Sequence, residues 1–309
     1  MGMYAGGLHV DAALTNVSVM YRNGQMVADS IFPMIPVDKQ SNKYWTYGLD
    51  NLRPDDDTRR PGGESNEIDW SLSANPYYCD GHALSQVIPD EWRENADAAI
   101  DLDTDTTIQL TDKLWLNREV AAAAAVAASV TASDQTAAKW DTDTTDPIKI
   151  IDTAKETIAP AIGQKPNVLL LSRPTFRGLR NNALVKARVG GALNGIDQSR
   201  ITTSQLASLL EVDEVIIGDA IKVTSAEGQT VTSSYVWGKT ALLFYRPPSP
   251  GLRTVSLGYQ FTWMKGRLGA LVYKGRLDKR HSDFVEVMRY YDLRITAASA
   301  GVYFTNCVA

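Results

Sequence analysis

Asp101, Asp103, Asp105 and Asp112 stand at the spacing of positions 1, 3, 5 and 12 of a calcium-binding loop. Such a loop needs a glycine at position 6 for its sharp turn and a bidentate glutamate at position 12. Thr106 and Asp112 occupy those places, so the carboxylates read instead as a capping cluster at the positive end of a helix. Residues 190–195 (GGALNG) are glycine-rich but lack GxGxxG spacing, a strand at the right distance before them and a Walker lysine. They read as a flexible loop. His9, His82 and His281 are scattered, and even His82, near Cys79 and Asp80, reads as a loop histidine. No serine lies in a GxSxG elbow. With no nucleophile, base or metal site assembled, we expect no catalytic residue, no cofactor and no enzyme.

The sharpest charge feature is Asp55-Asp56-Asp57 followed by Arg59-Arg60, inside residues 53–63 (RPDDDTRRPGG). Taken alone it is a solvated loop tip whose local ion pairs are each worth little. The elements around it suggest more. Residues 39–73 read as a long hairpin, with an aromatic strand KYWTY at 43–47 and an alternating strand at 67–73 that sets Ile68, Trp70 and Leu72 on one face. An isolated two-stranded hairpin is marginal in water, so one carrying Tyr44, Trp45, Tyr47 and Trp70 needs a partner surface. Before it, residues 1–38 show no strong period. Pro33 and Pro36 suit an extended arm, and its apolar groups, Ile31 and Phe32 among them, must lie across the same domain or a neighbour.

A chain of 309 residues with 44% hydrophobic and 22% charged content can bury a real core as one large or two ordinary domains. Its net charge of −5 argues against an extended phosphate-binding surface, although Arg276, Lys279 and Arg280 could make local contacts. Two cysteines, Cys79 and Cys307, make no disulfide framework and fit a reducing cytoplasm. The N-terminus lacks a secretory pattern, and the longest apolar run, VAAAAAVAA at 120–128, is far short of the ~20 residues of a membrane span. A soluble cytosolic protein is expected.

After a helical turn at 90–95, the strongest helix signal covers 104–129, roughly 39 Å long, with Ile108, Leu110, Leu114, Leu116 and Val120 as its stripe. Alanines 121–125 add propensity, and residues 121–128 are expected to form a close-packing face with Ala124 on its inward side. Residues 131–146 read as a polar loop. From Pro147 helices and strands alternate: a helix with Ile148, Ile151 and Ile158 inward, a strand at 168–171, a helix opened by Ser172-Arg173-Pro174, and a helix capped by Thr202 or Thr203. A strand at 215–217 comes next, then a strand pair at 235–237 and 241–245 around Gly238. Long strands are expected at 255–263, 284–289 and 293–304. No internal repeat is visible.

Several stretches occur in an order with a specific likeness: 26–47 (MVADSIFPMIPVDKQSNKYWTY), RRPGGESNE, YYCDGHAL, 90–97 (DEWRENAD) and 114–120 (LWLNREV). Together they resemble the major capsid proteins of tailed bacteriophages and prophages, which have the Hong Kong 97-type shell fold. NVLLLSRPTF, VDEVIIGDA and the closing HSDFVEVMRYYDLRITAASAGVYF are similar in pattern, so the likeness runs from about residue 12 to the C-terminus. It implies an α+β fold with an N-terminal arm (1–38), an extended loop hairpin (39–82), a peripheral domain (83–147 with the spine helix, and 253–309) and an axial domain (148–252).

The resemblance further implies a structural subunit of an icosahedral virion capsid, assembled in the bacterial host cytoplasm. Its partners would be itself in hexamers and pentamers, a separate scaffolding protein and portal, and packaged double-stranded DNA bound without sequence specificity. No membrane is implied. The chain has only about a dozen residues before the likeness starts, so scaffolding is expected from another protein or to be dispensable. Inter-subunit contacts are expected at Phe32, Tyr44, Trp45, Trp70, Asp55, Asp56, Arg59 and Arg60. Lys39, Lys43 and Asn306 are available for the crosslink some relatives form, but no motif aligns them. An encapsulin-like protein compartment is the alternative, with an α+β enzyme built on 148–252 behind it.

Overall fold

The computed structural model describes residues 23–69, 71–95, 101–192, 201–251, 254–264 and 271–309. Residues 1–22 of the expected arm, Trp70, and residues 193–195 of the glycine-rich loop lie outside them. The described chain divides into two compact units, one of Gly81–Trp115 and Gly269–Arg289, the other of Gly24–Asp80, Leu116–Leu268 and Tyr290–Ala309.

In the first unit the strand Ser282–Ile295 is the organiser. Its first half pairs antiparallel with Leu271–Leu277 through the turn Asp278–Arg280, and Asp80–Pro89 pairs with it as well. Gly275 lies opposite Phe284, and a Cβ there would fall 2.6 Å from the phenyl ring, so the ring occupies the space a side chain would need. Strand Leu271–Leu277 had no counterpart in the sequence reading. Ile88, Val285 and Val287 pack against Leu110 and Leu114 from the first half of the helix Leu102–Ser129. The helix therefore starts two residues earlier than expected, capped by Asp101, whose carboxylate accepts from the Asp103 and Thr104 amides.

Burial along this helix returns every four residues, at Thr106, Leu110, Leu114, Arg118, Ala122, Val126 and, just past its end, Val130. This i, i+4 row is one ridge of the helix surface. Ile108, Leu116 and Val120 sit beside the row and are only half-buried. Ala124 is exposed, so the inward alanine is Ala122.

The second unit is built on a five-stranded sheet in the order Thr131–Asp134, Gly301–Thr305, Ala241–Phe244, Val168–Ser172, Glu214–Gly218. Every residue of Ala241–Phe244 and Val168–Ser172 is buried, as central strands covered on both faces must be. Asp146 caps the helix Pro147–Ile162, which ends on left-handed Gly163; Ser172 caps Arg173–Asn181; and Thr202 closes a capping box with Gln205 on Thr203–Leu209. The expected polar loop at 131–146 instead opens with a strand. It is held by a parallel pairing to the C-terminal strand and by fully buried Trp140, edge-on to Phe304 at 5.3 Å. The expected strand pair around Gly238 is likewise two separate pairings: Ser233–Tyr235 joins Ile221–Val223, whereas Ala241–Phe244 joins its sheet neighbours.

A second sheet portion of this unit sets Met34–Val37 parallel to Gly258–Trp263, which pairs antiparallel with the last part of Ser282–Ile295. The hairpin follows, Ser41–Tyr47 against Leu72–Tyr78. Its return strand thus begins where the expected one, at 67–73, was ending.

The burial row sets a clear contrast. Ala122→Trp should destabilise the fold by about 1–3 kcal/mol through overpacking, whereas Ala124→Trp should stay within about 0.5 kcal/mol. Urea unfolding of the two variants side by side measures the difference.

Candidate functional site

The surface set apart in this chain is the hairpin and the loop it carries. At its base Tyr44 and Tyr77 both stack on Phe261, with ring centroids 5.2 and 4.6 Å away. Tyr77, Cys79, Tyr259 and Phe261 are buried there, and Trp263, edge-on to Tyr290, packs alongside. The Tyr78 amide donates to Asp292, which also accepts from Arg294. Beyond this anchored base the side chains face solvent: Trp45 is 61% exposed, Leu52 69%, and Leu49, Ile68 and Leu72 are exposed as well. Apolar groups collected on one protrusion mark an interaction surface more than scattered ones do.

The expected contact residues divide accordingly. Trp45, Asp55, Asp56, Arg59 and Arg60 are exposed on the hairpin and its loop, and Tyr44 is half-buried at the anchored base. Asp56 accepts from the Thr58 amide, which holds its carboxyl below the usual range, and the Arg59 Nε donates to the Gly63 carbonyl at 2.7 Å. These contacts shape the tip locally. Phe32 has to be corrected: it is fully buried in the main core, its ring pressed on the Gly258 backbone where a Cβ would lie 2.7 Å away. Its side chain is not available to a neighbour. Trp70 lies outside the described residues.

Two residues with a larger structural role were missed. Arg118 and Glu119 are 1% and 0% exposed. Glu119 accepts from the Val27 amide with both oxygens (3.0 and 3.1 Å), from Ala28 (2.9 Å) and from the Trp237 indole (2.7 Å). Arg118 donates to Asp29 at 2.7 Å and to Gln260 at 3.2 Å. The signal for them was present in LWLNREV. Arg118 falls on the four-residue apolar row, where a charge must find a partner inside the protein.

The other reactive types are absorbed structurally. Asp101 caps its helix and Asp103 pairs with Arg93 and Lys274, so the four spaced carboxylates do not converge. Among the described residues no group of three His, Cys, Asp or Glu is placed to hold a metal, and no helix is long and apolar enough to cross a membrane. Burial pushes the Cys79 thiol up to about 11 and the Cys307 thiol up to about 12, which keeps both protonated and unreactive. An open cleft of about 250 Å³ between Asp103, Thr107, Val272, Lys274 and Val285 has its charged groups already paired with each other.

Beside that cleft, Asp90, Asp103 and Asp283 alternate with Arg93, Lys274 and Arg276. Arg276 reaches Asp90 at 2.6 Å and Asp283 at 3.3 Å, while Arg93 reaches Asp103 and Asp283 at 3.0 and 3.1 Å. The hydrogen bonds from Arg276 and Arg93 hold the Asp90 and Asp103 carboxyls below their ordinary values. A depressed folded-state pKa gives stability that is present above the unfolded value and is lost as pH falls through the folded one. Arg276→Met should therefore weaken the protein near neutral pH and differ progressively less from the parent below about pH 4. Urea titrations of both proteins at about pH 7 and about pH 2.5 read the effect, and an unchanged gap would contradict it.

No protein-family model matches the chain. The major capsid protein of Pseudomonas phage JBD67 is 26% identical over 313 aligned residues, covering 97% of each chain. Among solved structures, a phage-related protein from Bordetella bronchiseptica superposes with a TM-score of 0.69 at 24% identity, over 93% of this chain and 94% of that one. The capsid of cyanophage P-SCSP1u gives 0.65 at 12% identity, over 96% and 92%. The chain has the Hong Kong 97-type α+β fold, and its likeness in both sequence and structure is to phage capsid proteins.

Proposed function

We infer that this chain is the major capsid protein of a tailed phage or prophage, a structural subunit that assembles with copies of itself into the icosahedral head. The observation that carries the reading is the end-to-end likeness to a phage major capsid protein, with no long stretch of either chain left over. The hairpin supplies the physical complement. Its base is fixed on Phe261, and its outer part presents Trp45, Leu49, Leu52, Ile68 and Leu72 to solvent, which suits a surface that a neighbouring copy covers.

On this reading the subunit's role is mechanical rather than catalytic, and its place is the virion. Residues 83–147 and 253–309 would form the peripheral domain and 148–252 the axial domain around the hexamer and pentamer axes. Double-stranded DNA would be the content, a scaffolding protein and a portal the assembly partners, and the host cytoplasm the place of assembly. The likeness to phage capsid proteins favours this over a compartment for protein cargo.

The full chain at micromolar concentration should form capsomers or shells in sedimentation velocity and negative-stain images. A strictly monomeric protein, with scaffold supplied, would sink the reading. Trypsin should cut the exposed loop after Arg59, the Arg53–Pro54 and Arg60–Pro61 bonds being resistant, in free subunits and cut it roughly tenfold more slowly after assembly. Leu52→Asp should leave the fold intact and reduce assembly. Equal cleavage rates in both states would exclude this loop as a contact.

A further inference from the structure

The described part of the N-terminal segment is held by a constellation that its own packing does not demand. Ala28–Ile31 is a single helical turn without a side-chain cap at Val27, and so short a turn leaves its first amides without intrahelical partners. Glu119 supplies what is missing. Its carboxylate accepts from the Val27 and Ala28 amides and, on the oxygen shared with Val27, from the Trp237 indole. One residue earlier, Arg118 takes Asp29 of the same turn and Gln260 of the neighbouring strand. Consecutive residues of opposite charge thus grip consecutive residues of the turn, 27 and 28 by Glu119 and 29 by Arg118. A hydrophobic contact would have held Ile31 and Phe32 in the core equally well, but it would not have fixed the rotation and direction of the backbone at Val27. Directed, charge-assisted hydrogen bonds do.

We propose that Arg118 and Glu119 are positioning residues for assembly: they form a clamp that sets the point and direction at which the N-terminal arm joins the body of the subunit. The clamp rests on the reading of the chain as a shell subunit, in which an arm has to meet a neighbour in one orientation. It acts through the Val27 and Ala28 amides and the Asp29 side chain and touches no partner itself, since both of its residues are buried. Trp237 also donates to the carboxylate, so the clamp links the arm to the loop between Tyr235 and Thr240 as well as to the helix.

Glu119→Gln tests it. The amide nitrogen would set a donor against the Val27 or Ala28 donor while the side chain keeps its size, so the core volume is unchanged. Amide hydrogen exchange over residues 24–32 should become roughly tenfold faster, with exchange in the central strands Val168–Ser172 and Ala241–Phe244 unaltered, and the yield of shells should fall severalfold. Asp29→Ala, at a side chain 65% exposed, removes the carboxylate that buried Arg118 reaches and should loosen the same segment while leaving the core volume unchanged. It serves as the second variant if Glu119→Gln fails to fold. Trp237→Phe removes the indole donor alone and should give a smaller change of the same kind.

Unaltered exchange at 24–32 in both Glu119→Gln and Asp29→Ala would overturn the clamp. Faster exchange with an undiminished shell yield would overturn its role in assembly. If the parent protein itself formed no capsomers, the shell reading and the assembly role would fall together, and exchange on the same samples would still decide whether the clamp holds the segment.

Discussion

A carboxylate buried at Glu119 has to be surrounded by donors, and the way the chain supplies them decides how three distant parts of it meet. The Val27 and Ala28 amides come from the N-terminal segment, the indole comes from Trp237, and the acceptor sits midway along the longest helix. A hydrogen bond to a buried charged group is worth about 1.5–3 kcal/mol, so none of the three can leave its place cheaply. Arg118 adds the opposite charge on the adjacent residue and reaches Asp29 and Gln260, which brings the strand Gly258–Trp263 into the same arrangement. That strand in turn carries Phe261, the platform for Tyr44 and Tyr77 at the base of the hairpin. A chain of directed contacts therefore runs from a helix interior to the exposed protrusion.

The hairpin illustrates how a distant contact chooses a register. The alternation at 67–73 pointed to that segment as the return strand, yet Ser41–Tyr47 pairs with Leu72–Tyr78, Pro76 included. Tyr77 lies opposite Asn42 and so shares a face with Tyr44, which lets both rings reach Phe261. A slip of one residue would turn Tyr77 to the other side. The proline is tolerated because this strand has a single partner and can leave its outer edge without a donor. Stacking on a residue almost two hundred positions away thus outweighed a clean local pattern.

The same division separates what could be read from the residues from what could not. Helix starts at 147, 173 and 203 rest on local signals, Pro147 at the first helical position, Ser172-Arg173-Pro174 and a threonine at 202 or 203, and they were legible, whereas the capping role of Asp146 was not. Thr131–Asp134 is a strand only because Gly301–Thr305 lies beside it; TASD carries no strand signature of its own. Leu271–Leu277 was invisible for a related reason, because an edge strand with exposed Val272 and Tyr273 lacks the buried alternation that marks a core strand. For the contact surface, exposure of Trp45 and the charged tip followed from composition, whereas Phe32 looked equally available. Its fate was set by Gly258, whose missing side chain leaves room for the ring.

Charge pairing within the chain bears on what the proposed shell would do to its contents. Arg93, Arg173, Arg188, Arg246, Lys274 and Arg276 each reach a carboxylate of the same chain. Exposed pairs of this sort add little to stability, but they neutralise guanidinium and ammonium groups that would otherwise bind phosphate. Each cation that stays paired is one fewer counterion released when a nucleic acid approaches, and affinity for a polyanion falls steeply with the number of such contacts. With a net charge of −5 over the whole sequence, a wall made of these subunits would hold DNA by enclosing it rather than by adhesion.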